Sequence, residues 1–138
     1  MQINRFQGNA KGRNRCVEYG GIVYAVATAE GADIQEQTRR SLEFLDESLE
    51  MASSNKIRIL QGQIFLADMS QKADMNVVWN EWIGPDWNNW PQKACVGGPL
   101  AFGTLVKIVL TAAKVQRIDL QHARGLTIHL RQNVGVTR

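Results

Sequence analysis

Two side chains able to do chemistry stand two residues apart in W-P-Q-K-A-C-V, residues 90–96: the amine of Lys93 and the thiol of Cys95. A thiol becomes a nucleophile when a neighbour draws off its proton, most often a histidine. Both histidines, His122 and His129, lie in the C-terminal tail beyond the regular elements, so neither is placed to activate Cys95. In a strand, such a cysteine reads as a small buried hydrophobe. Lys93 has a counterpart in Lys107, and each sits among apolar residues of a β-run. A lone lysine of that kind lays its stem on apolar surface and keeps its ammonium in water. Two of them could instead line an anion site, together with Arg13 and Arg15 of the glycine-flanked loop G-N-A-K-G-R-N-R at 8–15.

Other chemistries find less support. Neither Cys16 nor Cys95 has a partner at metal-ligand spacing, so no metal site is expected. The chain carries no phosphate-cradling G-x-x-x-x-G-K-[ST] and no G-x-G-x-x-G after a strand. No cofactor is expected. Carboxylates such as Asp46 and Glu50 read as a solvated helix face. Four tryptophans could stack on bases, but three of them fall within residues 79–87, where core and loop packing account for them.

The 138 residues suit one domain with one core. Hydrophobic residues make up 44% and charged residues 21%, an ordinary globular composition. No apolar run is long enough to cross a bilayer, and the N-terminus lacks a signal-peptide layout. Two cysteines make no disulfide framework, so a cytoplasmic location is expected. The net charge of +3 is unevenly placed. Residues 114–138 hold five basic residues against Asp119 alone, a balance of +4, which leaves −1 on residues 1–113. A basic tail on a near-neutral body makes nucleic acid an unlikely partner.

The elements that must position Lys93 and Lys107 follow from periodicity. Residues 2–6 alternate as a short strand, and residues 16–28 form two β-runs split by Gly20-Gly21, a two-residue hairpin turn. Asp33 with Glu36 resembles a capping box at the start of a helix whose apolar stripe is Ile34, Leu42, Leu45, Leu49 and Ala52. Ser53-Ser54-Asn55 ends it. A strand closes residues 57–67; a second helix, capped by Asp68 or Ser70, shows Met75, Val78, Trp79 and Trp82 on one face. Gly84-Pro85 stops that helix. Strands follow at 93–97 and 104–113. The order β-β-β-α-β-α-β-β predicts an α+β fold, a mixed sheet with two helices on one face. The other face is then apolar and bare, and predicts self-association.

Four stretches in this order carry a resemblance: I-F-L-A-D at 64–68, M-N-V-V-W-N-E-W at 75–82, P-Q-K-A-C-V at 91–96 and V-K-I-V-L-T-A-A at 106–113. With E-Q-T-R-R-S-L-E-F-L at 36–45, they make the chain similar to the YjgF-like, or Rid (reactive intermediate deaminase), family over residues 2–113. The resemblance implies a chorismate-mutase-like fold of the bacillary type over residues 1–115, with 116–138 as a basic extension. It further implies a homotrimer around an inner β-barrel, with ligand clefts between subunits. Active members hydrolyse enamines and imines such as 2-aminoacrylate to keto acids and ammonia.

The chain departs from the family pattern where the chemistry lies. The family's carboxylate-binding arginine falls on Lys93, and its last-strand glutamate falls on Lys107. Its N-terminal tyrosine falls near Arg13, and a hairpin glycine falls on Ala27; Asn76 and Cys95 match. Lysine keeps the charge but loses arginine's two-donor fork, and Lys107 removes the acid that would handle water. The expectation is a small anionic metabolite held by Lys93, Lys107, Arg13, Asn76 and Cys95, with little or no deaminase turnover and no residue assigned as catalytic. A functional imine deaminase is the first alternative, and an RNA-binding or RNA-cleaving protein the second.

Overall fold

The computed structural model of the protein describes residues 1–116. The histidines and most of the basic tail, residues 117–138, lie outside the described residues, and so does the expectation of a separate extension there. Strand β1 (Asn4–Gln7) pairs with β2 (Asn14–Tyr19), and β2 turns into β3 (Ile22–Ala27) through Gly20 and Gly21. Both glycines take positive φ, 61° and 87°, the geometry that a tight hairpin demands and that a Cβ resists. Helix α1 (Ile34–Met51) follows, then β4 (Ile59–Leu66), α2 (Lys72–Ile83), β5 (Gln92–Gly97) and β6 (Val106–Ala113).

The six strands form one sheet in the order β1-β2-β3-β6-β4-β5. Among the described strands only β4 and β5 run parallel, joined by the α2 crossover; the other pairs are antiparallel. In β6, Val106, Ile108, Leu110 and Ala112 are buried while the residues between them are half-exposed, so the sheet has one covered face. Leu42, Leu45 and Leu49 of α1 and Met75, Val78 and Trp79 of α2 cover it. Gly62 of β4 leaves the room for α2, since a Cβ there would lie 3.1 Å from the Trp79 ring. The expected mixed sheet with both helices on one face is what the chain forms.

Capping follows the sequence at α1, where the Asp33 side chain accepts from the Glu36 N–H at 2.8 Å. It differs at α2. Asp68 accepts from the Ser70 N–H and caps a 3₁₀ turn (Met69–Gln71) just before the helix, which itself starts without a side-chain cap. Buried Gln37 ties the sheet's far end together. Its amide donates to the Gly31 and Gly103 carbonyls and accepts from the Leu105 N–H at 2.8 Å. On the uncovered face Tyr24 is 51% exposed and Val96 49%, with Val26, Phe65 and Val109 half-buried beside them.

Candidate functional site

Lys93 stands on the edge strand β5, opposite Gly62 in the parallel register, and so turns toward α2. Asn76 and Trp79, one helical turn apart, present their side chains to it. Lys93 Nζ donates to Asn76 Oδ1 at 2.6 Å and lies 5.3 Å from the centre of the Trp79 ring, a cation–π contact. Among the described residues no carboxylate comes within ion-pair distance of this ammonium. Burial lowers its pKa; the neighbouring Cys95 thiol opposes that shift, and the positive charge of Lys72 adds to it. Cys95, opposite Ile64, shares the covered face and packs against the core.

Beside Lys93 an open cleft of about 700 Å³ runs between the end of α2 and the loop that follows it. Trp79, Ile83, Pro85, Trp90 and Pro91 make its apolar walls, and Glu81 and Asn80 stand at its polar side. The loop is fixed where Trp90 Nε1 donates to the Gly84 carbonyl at 2.8 Å. Gly84 is the residue after α2 and has φ 88°, which lets the chain leave the helix sharply before Pro85.

Three of the five expected site residues therefore converge in one chain: Lys93, Asn76 and Cys95. Lys107 does not join them. It pairs with Phe65 and points to the uncovered face, the opposite side of the sheet from Lys93. Arg13 precedes β2, near the far edge of the sheet, and lines a separate hollow of about 210 Å³ with Asn9, Thr28 and Phe44. Arg15, which the structure places in β2 and not in the loop, is already engaged. Its guanidinium stacks on the Phe44 ring at 3.8 Å and donates to Ser48 Oγ, the Phe44 carbonyl and Glu47. Cys16 is buried, donates to the Ser48 carbonyl, and has its pKa raised by burial despite nearby Arg15.

Lys72, Glu81 and Trp90 also belong to this neighbourhood, though motif reading alone did not single them out. For Lys72 the available signal was its helical spacing with Asn76, Trp79 and Ile83; Glu81 and Trp90 had none of that kind. No group of three metal-ligating side chains converges among the described residues, and no described helix is long and apolar enough to cross a membrane.

Residues 2–114 match the family model described as Endoribonuclease L-PSP. A RutC family protein of Haemophilus ducreyi is 38% identical over 99 residues, covering 69% of this chain and 83% of that protein. The crystal structure of a YjgF-family member from Neisseria meningitidis superposes with a TM-score of 0.76 at 32% identity, covering 83% of this chain and 96% of that one. The chain belongs to the YjgF/Rid family. A Pseudomonas aeruginosa structure agrees, with a TM-score of 0.74 and 32% identity over 82% of this chain and 99% of that one. Within the family's fold, the three clustered residues occupy the α2–β5 side of the sheet, and the apolar loop after α2 borders them.

Proposed function

We propose that the protein is a cytoplasmic homotrimer that binds a small anionic metabolite in clefts between subunits and turns over enamines or imines slowly or not at all. The observation that carries this is Lys93: half-buried, held by Asn76 Oδ1 at 2.6 Å, at the side of an open cleft and without a carboxylate partner. A cation fixed by a neutral partner keeps its charge available to a ligand, and a carboxylate is the natural complement. Subunit sharing follows from distance along the sheet. Arg13 and Lys93 sit near opposite edges, so one ligand meets both only if a second chain contributes the far edge. The uncovered apolar face favours such an assembly.

Weak turnover follows from what the resemblance puts at these positions. Lys93 replaces a two-donor arginine, and Lys107 replaces the glutamate that would handle water; because Lys107 faces the other side of the sheet, any part it plays at a Lys93 cleft comes from a neighbouring chain. One observation favours the alternative of a working deaminase: Glu81 lines the same cleft as Lys93 and is an acid of the needed kind. The RNA reading has less support, because residues 1–113 carry a net −1. The deciding assay couples the protein to a dehydratase that releases 2-aminoacrylate and follows keto-acid formation. Wild-type protein is expected to add little to the spontaneous rate, and the double variant Lys93→Arg/Lys107→Glu to add more. If wild type already matches the double variant, the deaminase reading replaces this one, and Glu81→Gln is the next variant.

A further inference from the structure

We propose that Lys93 is also a covalent capture residue, condensing with the carbonyl of a 2-oxo acid that carries an apolar side chain to form a reversible imine. The inference rests on the reading of the Lys93 cleft as a ligand site and adds a bond that the family's arginine cannot make. Four features of the site converge on it. Lys93 lines a cleft large enough for a small metabolite, about 700 Å³. Asn76 Oδ1, a neutral acceptor, fixes the amine at 2.6 Å without adding the negative charge that would hold it as ammonium. Trp79 shields its other side. Burial desolvates it, an effect that the Cys95 thiol opposes and the charge of Lys72 reinforces, and desolvation beside a second cation is the setting in which a lysine amine becomes nucleophilic. The same burial lowers the Lys93 pKa, which enlarges the neutral fraction.

The chemistry balances without a co-reactant. The Nζ lone pair attacks the carbonyl carbon, and the C=O π electrons move to oxygen. A proton passes from nitrogen to that oxygen, giving a carbinolamine. A proton from solvent then carries the hydroxyl off as water while the C=N bond forms, leaving a protonated imine, and the return of water with release of that proton reverses the sequence. No electrons are gained or lost overall. The protonated imine keeps one N–H, for which Asn76 Oδ1 remains the acceptor. The side chain of the ligand then has the walls of Ile83, Pro85, Trp90 and Pro91, and Lys72 adds to the positive field that its carboxylate meets.

The test uses the full chain with phenylpyruvate, which has the carboxylate, the carbonyl and an apolar side chain. Phenyllactate serves as the control, having the same charge and ring but a hydroxyl in place of the carbonyl. Cyanoborohydride traps any imine as a stable amine, read by intact mass and peptide mapping. One reduced phenylpyruvate per chain, mapped to Lys93, absent with phenyllactate and lost in a folded Lys93→Arg variant, is the expected result. Equal labelling of Lys93→Arg, labelling spread over surface lysines, or no adduct at all would overturn the imine. Phenyllactate binding separates the two levels. Without an adduct, saturable phenyllactate binding by both proteins overturns the imine and leaves the anion site standing, whereas no binding overturns both.

Discussion

Lysine and arginine carry the same charge, and at position 93 they are not equivalent. Arginine remains protonated at every accessible pH, whereas burial, with the Cys95 thiol opposing it, holds the Lys93 pKa below the ordinary lysine value. The sign for ligand binding follows. Carboxylate affinity is highest where Lys93 is charged and falls as pH rises through the lowered pKa, because the ligand's partner is then neutral. Phenyllactate titrations are expected to weaken by roughly ten- to a hundredfold across that range, the loss of one charge-assisted hydrogen bond. Lys93→Arg is expected to hold its affinity flat over the same range; a parallel decline in both proteins would show that another group titrates. The residues of this site were partly legible in the sequence. Asn76, Lys93 and Cys95 stood in recognisable stretches, and the structure brings them together. Lys107 was grouped with them because alternation gives each strand two faces without saying which face of one strand matches which of another. Only the pairings Gly62 with Lys93 and Phe65 with Lys107 set that phase.

Among the elements, the amphipathic ones were the most legible. The stripe of α1 is fixed by a 3.6-residue period, and each of its five apolar positions is buried. Its start is locked by Asp33, while Glu36 Oε1 accepts from the Ala32 N–H at 2.7 Å and pairs with Arg40. Asp33→Ala is expected to lower stability by about 1 kcal/mol, the ordinary worth of an N-cap. A thermal or denaturant midpoint unchanged from wild type would contradict that assignment. The three 3₁₀ turns among the described residues, Lys56–Arg58, Met69–Gln71 and Trp87–Asn89, were less legible, although each has the same signature: Asn55, Asp68 and Asp86 accept from the N–H two residues on. Short turns lack a period, so only the capping residue announces them. The close approach of α2 to β4 was also hidden, because it depends on the missing side chain at Gly62. Gly62→Ala puts a methyl 3.1 Å from Trp79 and 3.4 Å from Leu110. Overpacking of this kind costs about 1–3 kcal/mol, and here it is expected to disturb the α2 face that carries Asn76. A denaturation midpoint together with phenyllactate affinity checks both effects, and neutral values for both would show that α2 shifts freely.

For the whole molecule, the decisive feature is the sheet face that the helices leave open. A monomer would expose Tyr24 and Val96, with Val26, Phe65 and Val109 between them, to water along a continuous strip. The proposed trimer buries that strip and brings the Arg13 edge of one chain toward the Lys93 edge of the next. Sedimentation or light scattering is therefore expected to give three times the 15.5 kDa chain mass. Truncation after Gln116 is expected to preserve the trimer, at three times the mass of the shortened chain. It retains the Lys114 N–H to Gly21 and Val115 N–H to Ser53 hydrogen bonds, and the family match ends at residue 114. Val109→Asp tests the face directly. Position 109 lies on the uncovered side of the central strand β6, between Val26 and Gln63. In a monomer, a carboxylate there meets solvent and costs little. In a trimer that buries this face it is a desolvated charge beside Val26 and Gln63, only partly offset by Lys107 two residues away, a cost of about a few kcal/mol per chain. The variant is expected to lose the trimer mass and, with it, phenyllactate binding, since in the proposed trimer each cleft is completed by a neighbour. A Val109→Asp protein that stays trimeric would place the interface elsewhere. A dissociated variant that still binds phenyllactate as wild type does would show that Lys93, Asn76 and the apolar loop after α2 form a complete site within one chain.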